Sequence, residues 1–148
     1  MRLLRGNPFL ARLHALAFGT ALLCNVYVDD YYRDNGLGAG ATGSSFRFCL
    51  LNAEADTYTE AITTFNLGNK NAPTSALADG TGGGRAIQIT GFSDGSVSAN
   101  GTASHWAWVD VTNTRLISSG ALSASQVVTS GNTFTITTFQ AARFADAA

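Results

Sequence analysis

Few residues in this chain are able to do chemistry. It has two histidines, two cysteines and ten acids. His105 follows Ser104 directly, and Asp110 lies five positions on. A serine, a histidine and an aspartate can together run nucleophilic hydrolysis, but only if the three side chains converge. The residues around His105 read as a strand, and successive side chains of a strand point to opposite faces. His105 is therefore expected to face away from Ser104 and from Asp110. Nothing matches the G-x-S-x-G elbow that exposes a nucleophilic serine. Glu54 with Asp56 or Glu60 could form the carboxylate pair of a glycosidase. They sit in a loop-like stretch with no aromatic sugar platform, so solvated loop acids are the simpler reading. Asp29-Asp30 is not followed by EF-hand spacing. Cys24 and Cys49 lie in apolar company, fit no zinc pattern and are expected as buried free thiols. No catalytic group, metal site or cofactor is expected.

Two strings need a structural context to mean anything. Gly38-Ala39-Gly40-Ala41-Thr42-Gly43 matches GxGxxG. A dinucleotide site needs a helix after that string to hold pyrophosphate, whereas the residues that follow alternate like a strand. A glycine linker is expected. Asn100-Gly101-Thr102 is a formal glycosylation sequon and also a tight-turn pair. Trp106 and Trp108 share one strand face, where they serve either as a platform for sugar or a partner, or as the centre of the core.

The elements that must position these residues fall into three textures. Asn7-Pro8 is a helix start, and Leu10, Leu13, Ala17 and Ala21 recur at helical spacing. A helical arm is expected over residues 8 to about 33, with Arg2, Arg5, Arg12 and Leu13 as candidate interaction residues. The apolar run Leu13 to Leu23 is roughly the shape of a signal peptide. His14 interrupts it and no small-residue cleavage site stands out, so a retained arm is expected; the run is too short to span a bilayer. The arm and linker cover residues 1–43, and residues 44–148 are expected to form an antiparallel β-sandwich or small barrel. Within it, Ser44–Leu51 reads as a strand, 52–83 mainly as loop with a short element near Ile62–Leu67, and Ala78–Gly84 as a glycine turn. Arg85–Gly91 reads as a strand, Ser93–Ser96 as a tight turn, and Val97–Asn100 and Ala103–Val111 as strands. Arg115–Ser118 and Gln126–Thr129 read as strands around a Gly120–Ser125 loop. Thr133 to Thr137 reads as the final strand after Ser130-Gly131-Asn132. Turn signals every 8–12 residues are those of a sandwich or barrel.

Charged residues make up 13% of the 148 and net charge is −1, with one lysine, Lys70. That share is about half the usual one. No basic stripe with interleaved aromatics marks a nucleic-acid reader, so no specific nucleic acid is expected. A surface poor in charge and rich in small polar groups suits burial against other subunits.

One resemblance rests on wording in the second half. Gly84-Arg85-Ala86-Ile87-Gln88-Ile89 is followed by Ser93-Asp94-Gly95-Ser96, then by Thr102-Ala103-Ser104-His105-Trp106-Ala107 with Asp110. Ser119-Gly120-Ala121-Leu122-Ser123-Ala124-Ser125 then leads to Gly131-Asn132-Thr133-Phe134-Thr135. This resembles small β-rich proteins encoded among virion genes of tailed phages and prophages, described as tail-fibre-like, minor tail or head decoration proteins. It covers roughly residues 46–139 and carries no catalytic signature. It implies a non-enzymatic virion subunit, assembled in the host bacterial cytoplasm, that decorates or stabilises the capsid or belongs to the tail, collar or fibre. The partners it implies are major capsid or tail proteins and further copies of the chain. Residues 1–43 form a longer arm than that pattern has. A carbohydrate-binding module using Trp106 and Trp108 is the reading from a different class.

Overall fold

The computed structural model describes residues 46–144. The expected helical arm with Arg2, Arg5, Arg12 and Leu13, the glycine linker, Cys24 and Asp29-Asp30 lie outside the described residues. The expected class holds: the described residues are mainly antiparallel β. They fall into two compact units, residues 46–74 with 89–141, and residues 75–88 with 142–144.

The larger unit is built on β1 (Phe46–Leu51), β2 (Asn66–Asn71), β5 (Phe92–Val97), β6 (Gly101–Asp110), β7 (Arg115–Val128) and β8 (Thr133–Ile136). They form one sheet in the order β7-β6-β1-β2-β5-β8, each neighbour antiparallel. β1 is central and nearly continuous in burial, because both of its faces are covered. Phe48 lies opposite Trp108 and Leu50 opposite Trp106, so directly paired side chains share one face. The other face carries Cys49, Leu51, Ala107 and Val109, which pack with Ala55 and Ala61.

The cover on that second face is a short helical turn, Glu60–Thr64, with π-type closure from the Phe65 N–H to the Glu60 carbonyl at 2.9 Å. Thr57 and Glu60 nucleate it. The Glu60 carboxylate accepts from the Asp56 and Thr57 N–H groups at 2.9 and 3.0 Å, and the Glu60 N–H donates to Thr57 Oγ1 at 3.2 Å. This reciprocal pairing is a capping box, whose Thr-x-x-Glu spacing is visible in the sequence.

Four expectations about the strands are corrected. Val97–Asn100 is not a strand, since β5 ends at Val97 and residues 98–100 lead into β6. The stretch 52–83 is not mainly loop, since it holds β2 and β3 (Ser75–Asp79). Asn66–Asn71 alternates poorly, and it is a strand because backbone pairing to β1 and β5 holds it on both sides. Ser93–Ser96 is not a turn but the middle of β5, with a register irregularity between Phe92 and Gly95. Gly95 serves close approach instead: a Cβ there would lie 2.4 Å from the Phe134 ring. Gly120–Ser125 is not a loop; it belongs to the fourteen-residue β7.

The smaller unit contains β3 and most of β4 (Arg85–Ile89). A ninth strand, β9 (Phe139–Phe144), follows the one expected to be last, and the second sheet has the order β3-β4-β9. The glycine turn between β3 and β4 is as expected, although β3 runs on to Asp79. Gly82, Gly83 and Gly84 all have φ between +77° and +99°, a region open to glycine at little cost. Arg85 pairs with Asp79 at 2.7 Å across its base.

Candidate functional site

The concave face of the six-stranded sheet holds an aromatic cluster. Phe48 stacks on Trp106 with ring centroids 6.2 Å apart and planes 11° apart, and meets Phe92 edge-on at 5.4 Å. Phe139 stands against Trp106 at 4.8 Å. Trp108 is fully buried beside Phe46 at 5.6 Å, and Trp106 is 8% exposed. The two tryptophans are therefore core residues. A sugar platform needs an open ring face, and Trp106 has Phe48 on its face, with Gly120 close by its Nε1 side.

Above this floor lies a cleft of about 470 Å³. Phe48, Leu50 and Trp106 line it from the middle of the sheet, β7 from Ala121 to Val128 on one side, and Phe134 to Ile136 of β8 on the other. β7 and β8 are the two edges of the sheet. Edges that wall one cleft with the central strand require the sheet to curl into a half-barrel. The inner wall is apolar. The polar residues that line the cleft, Ser123, Gln126, Thr135 and Thr137, are all exposed, and no lining residue is charged.

The lip on the β7 side is irregular. Ala103 pairs with Gln126, but His105 pairs with Ala121, so five steps on β7 oppose two on β6. Leu122 packs beside Leu50, Leu67 and Ala103. The same irregularity breaks the alternation expected around His105. Ser104 Oγ lies 2.9 Å from His105 Nδ1, so these side chains meet where they were expected to diverge. Ser104 Oγ also donates to the Asn52 carbonyl at 2.9 Å. While Ser104 Oγ donates to that carbonyl, its contact with Nδ1 requires the imidazole tautomer that carries its proton on Nδ1. Asp110 stays apart as expected, about 16 Å along the strand at ~3.3 Å per residue.

The buried Asp110 carboxylate organises the β6–β7 turn. It accepts from the Asn113 N–H and Nδ2 at 3.1 and 2.7 Å, and from Arg115 Nε at 3.3 Å. Burial pushes its carboxyl pKa up, yet the Asn113 donors and the Arg115 charge outweigh this and hold it below the ordinary carboxylate value. Glu60 is likewise held low, first by the Asp56 N–H, and its position in the capping box accounts for it. Cys49 is fully buried and its thiol is pushed up to about 11 by desolvation. Lys70 is paired with Asp94 at 2.5 Å between β2 and β5. Asn100 of the sequon accepts from the Ser130 N–H at 2.8 Å and braces the next turn. The first described element after the GxGxxG string is strand β1, not a helix.

Among the described residues no group of three or more His, Cys, Asp or Glu could hold a metal ion, and no helix is long and apolar enough to cross a membrane. No family model, curated protein or solved structure matches the chain.

The outer side of β7 is what the sequence reading missed. No strand of the described residues pairs with that side. From Leu116 to Val128 it carries no charge and no proline, and Val127 is 83% exposed. Sheet proteins blunt open edges with lysine, proline, shortness or a bulge, because an open edge recruits another strand. β7 has the irregularity at Leu122–Ser125 but none of the other devices. The signal is thirteen uncharged residues in a row, which form one strand where two short strands around a loop are expected.

Proposed function

We propose that the chain is a non-enzymatic structural subunit that assembles edge to edge, and that its setting is a tailed-phage particle, where it decorates or stabilises the capsid. The observation that carries this reading is the long, uncharged outer edge of β7, with which no strand of the described residues pairs. A strand of that kind is a template for a second chain. The charge-poor surface and the phage-like wording between residues 84 and 135 support the same setting. The polar groups point the same way, since Ser104, Asp110 and Glu60 each serve backbone or turn structure. The tail, collar or fibre is the neighbouring reading within the class.

Val127→Lys puts a charge on the open edge without touching the core. Sedimentation of the full chain is expected to show an oligomer for the parent and a large loss of it for V127K. Mass spectrometry of purified heads and tails is expected to find the chain in heads; finding it in tails moves the station. A parent that stays monomeric and is missing from particles defeats the reading.

A further inference from the structure

We infer that the half-barrel cleft is the seat for the apolar Leu13–Leu23 segment of a second copy of this chain. The inference rests on the assembly reading and names the contact that would complete it. The cleft has an apolar floor, a neutral rim and no charged lining residue. Small-molecule pockets fall in a similar range, about 300–1,000 Å³, but place a few polar groups inside to orient the ligand. Here the polar lining residues are on the exposed rim, Phe48, Leu50 and Trp106 form a buried floor, and the apolar surface open to an occupant is that of the half-buried Leu122, Val128, Phe134, Ile136 and Phe139. Such a surface takes apolar side chains without demanding a hydrogen-bond pattern.

The chain itself supplies a match. Leu13 to Leu23 reads LHALAFGTALL, with no acid, lysine or arginine in it. Residues 24–45 separate it from β1, a span that reaches at most about 75 Å at ~3.3 Å per residue. The open β7 edge favours a second copy over the same chain. Ala121–Val128 both forms that edge and walls the cleft. A neighbour docked along β7 therefore brings its own chain to the lip of this cleft, and the two contacts form one continuous interface.

Disulfide trapping tests this with the full chain. Two variants are made in a Cys24→Ser background, Ala17→Cys and Leu122→Cys, one of them isotope-labelled, then mixed and oxidised. A 17–122 crosslink between labelled and unlabelled chains is expected. Adding Leu16→Asp to the Ala17→Cys chain leaves the described residues untouched and is expected to cut the yield about tenfold or more, the equivalent of losing one buried leucine. Self-association by sedimentation without that crosslink overturns the cleft inference and leaves the assembly reading standing. In a third variant that carries both Ala17→Cys and Leu122→Cys, a crosslink that forms within the single chain while the mixed chains give none overturns the second-copy assignment. A monomer that never crosslinks overturns both readings.

Discussion

Truncating Phe48 should cost more than any other single apolar deletion in the larger unit. The ring is fully buried. It meets Phe92 at 5.4 Å, Phe134 at 6.1 Å, and Trp106 and Phe139 each at 6.2 Å between centroids. Phe→Ala in a core costs about 3–5 kcal/mol from lost transfer energy and the cavity left behind. Each well-placed ring pair adds about 0.5–1.5 kcal/mol beyond area, which sets Phe48→Ala near the upper figure. The total stability of such a domain is about 5–15 kcal/mol. At ~4 °C per kcal/mol, the melting temperature should fall by about 20 °C. Phe48→Leu keeps most of the apolar volume and should cost about 1.5 kcal/mol. Urea unfolding followed by tryptophan fluorescence and circular dichroism reads both, since Trp106 and Trp108 lie on the same face. A loss below about 2 kcal/mol for Phe48→Ala would refute its placement at the centre of the cluster.

Two further outcomes follow from the buried ionisable groups. Asp110 has a folded pKa below its unfolded value, so its contribution is fully present above about pH 4 and is lost as pH falls through the lower folded value. Asp110→Asn should cost about 1.5–3 kcal/mol at pH 7 and should flatten the acid side of the stability curve; parallel urea midpoints for parent and variant from pH 7 to pH 3 would sink this account. The Cys49 thiol, pushed up to about 11, holds almost no thiolate at pH 8. Peptide mapping after iodoacetamide should find Cys49 alkylated only when urea is present, and rapid labelling of the native chain would contradict its burial.

Features that depend on local rules can be read from the residues alone. Apolar, β-branched and aromatic runs placed β1, β4 and β6 within a few residues, and period-two alternation placed β8, where one face is half-buried and the other exposed. The apolar company of Cys49 foretold its burial. The Thr57–Glu60 capping box and the uncharged run of β7 are legible too. Tertiary structure alone decided the rest. β2 is a strand because neighbours pair with it on both sides, whatever its own weak alternation. Gly95 mimics a turn residue but is there so that the Phe134 ring can pass. The Ser104–His105 contact arises from a register irregularity set jointly by β6 and β7. The choice between platform and core for Trp106 and Trp108, and the existence of the cleft, depend on how far the sheet curls. Curl is a property of six strands together, so no single stretch of residues encodes it.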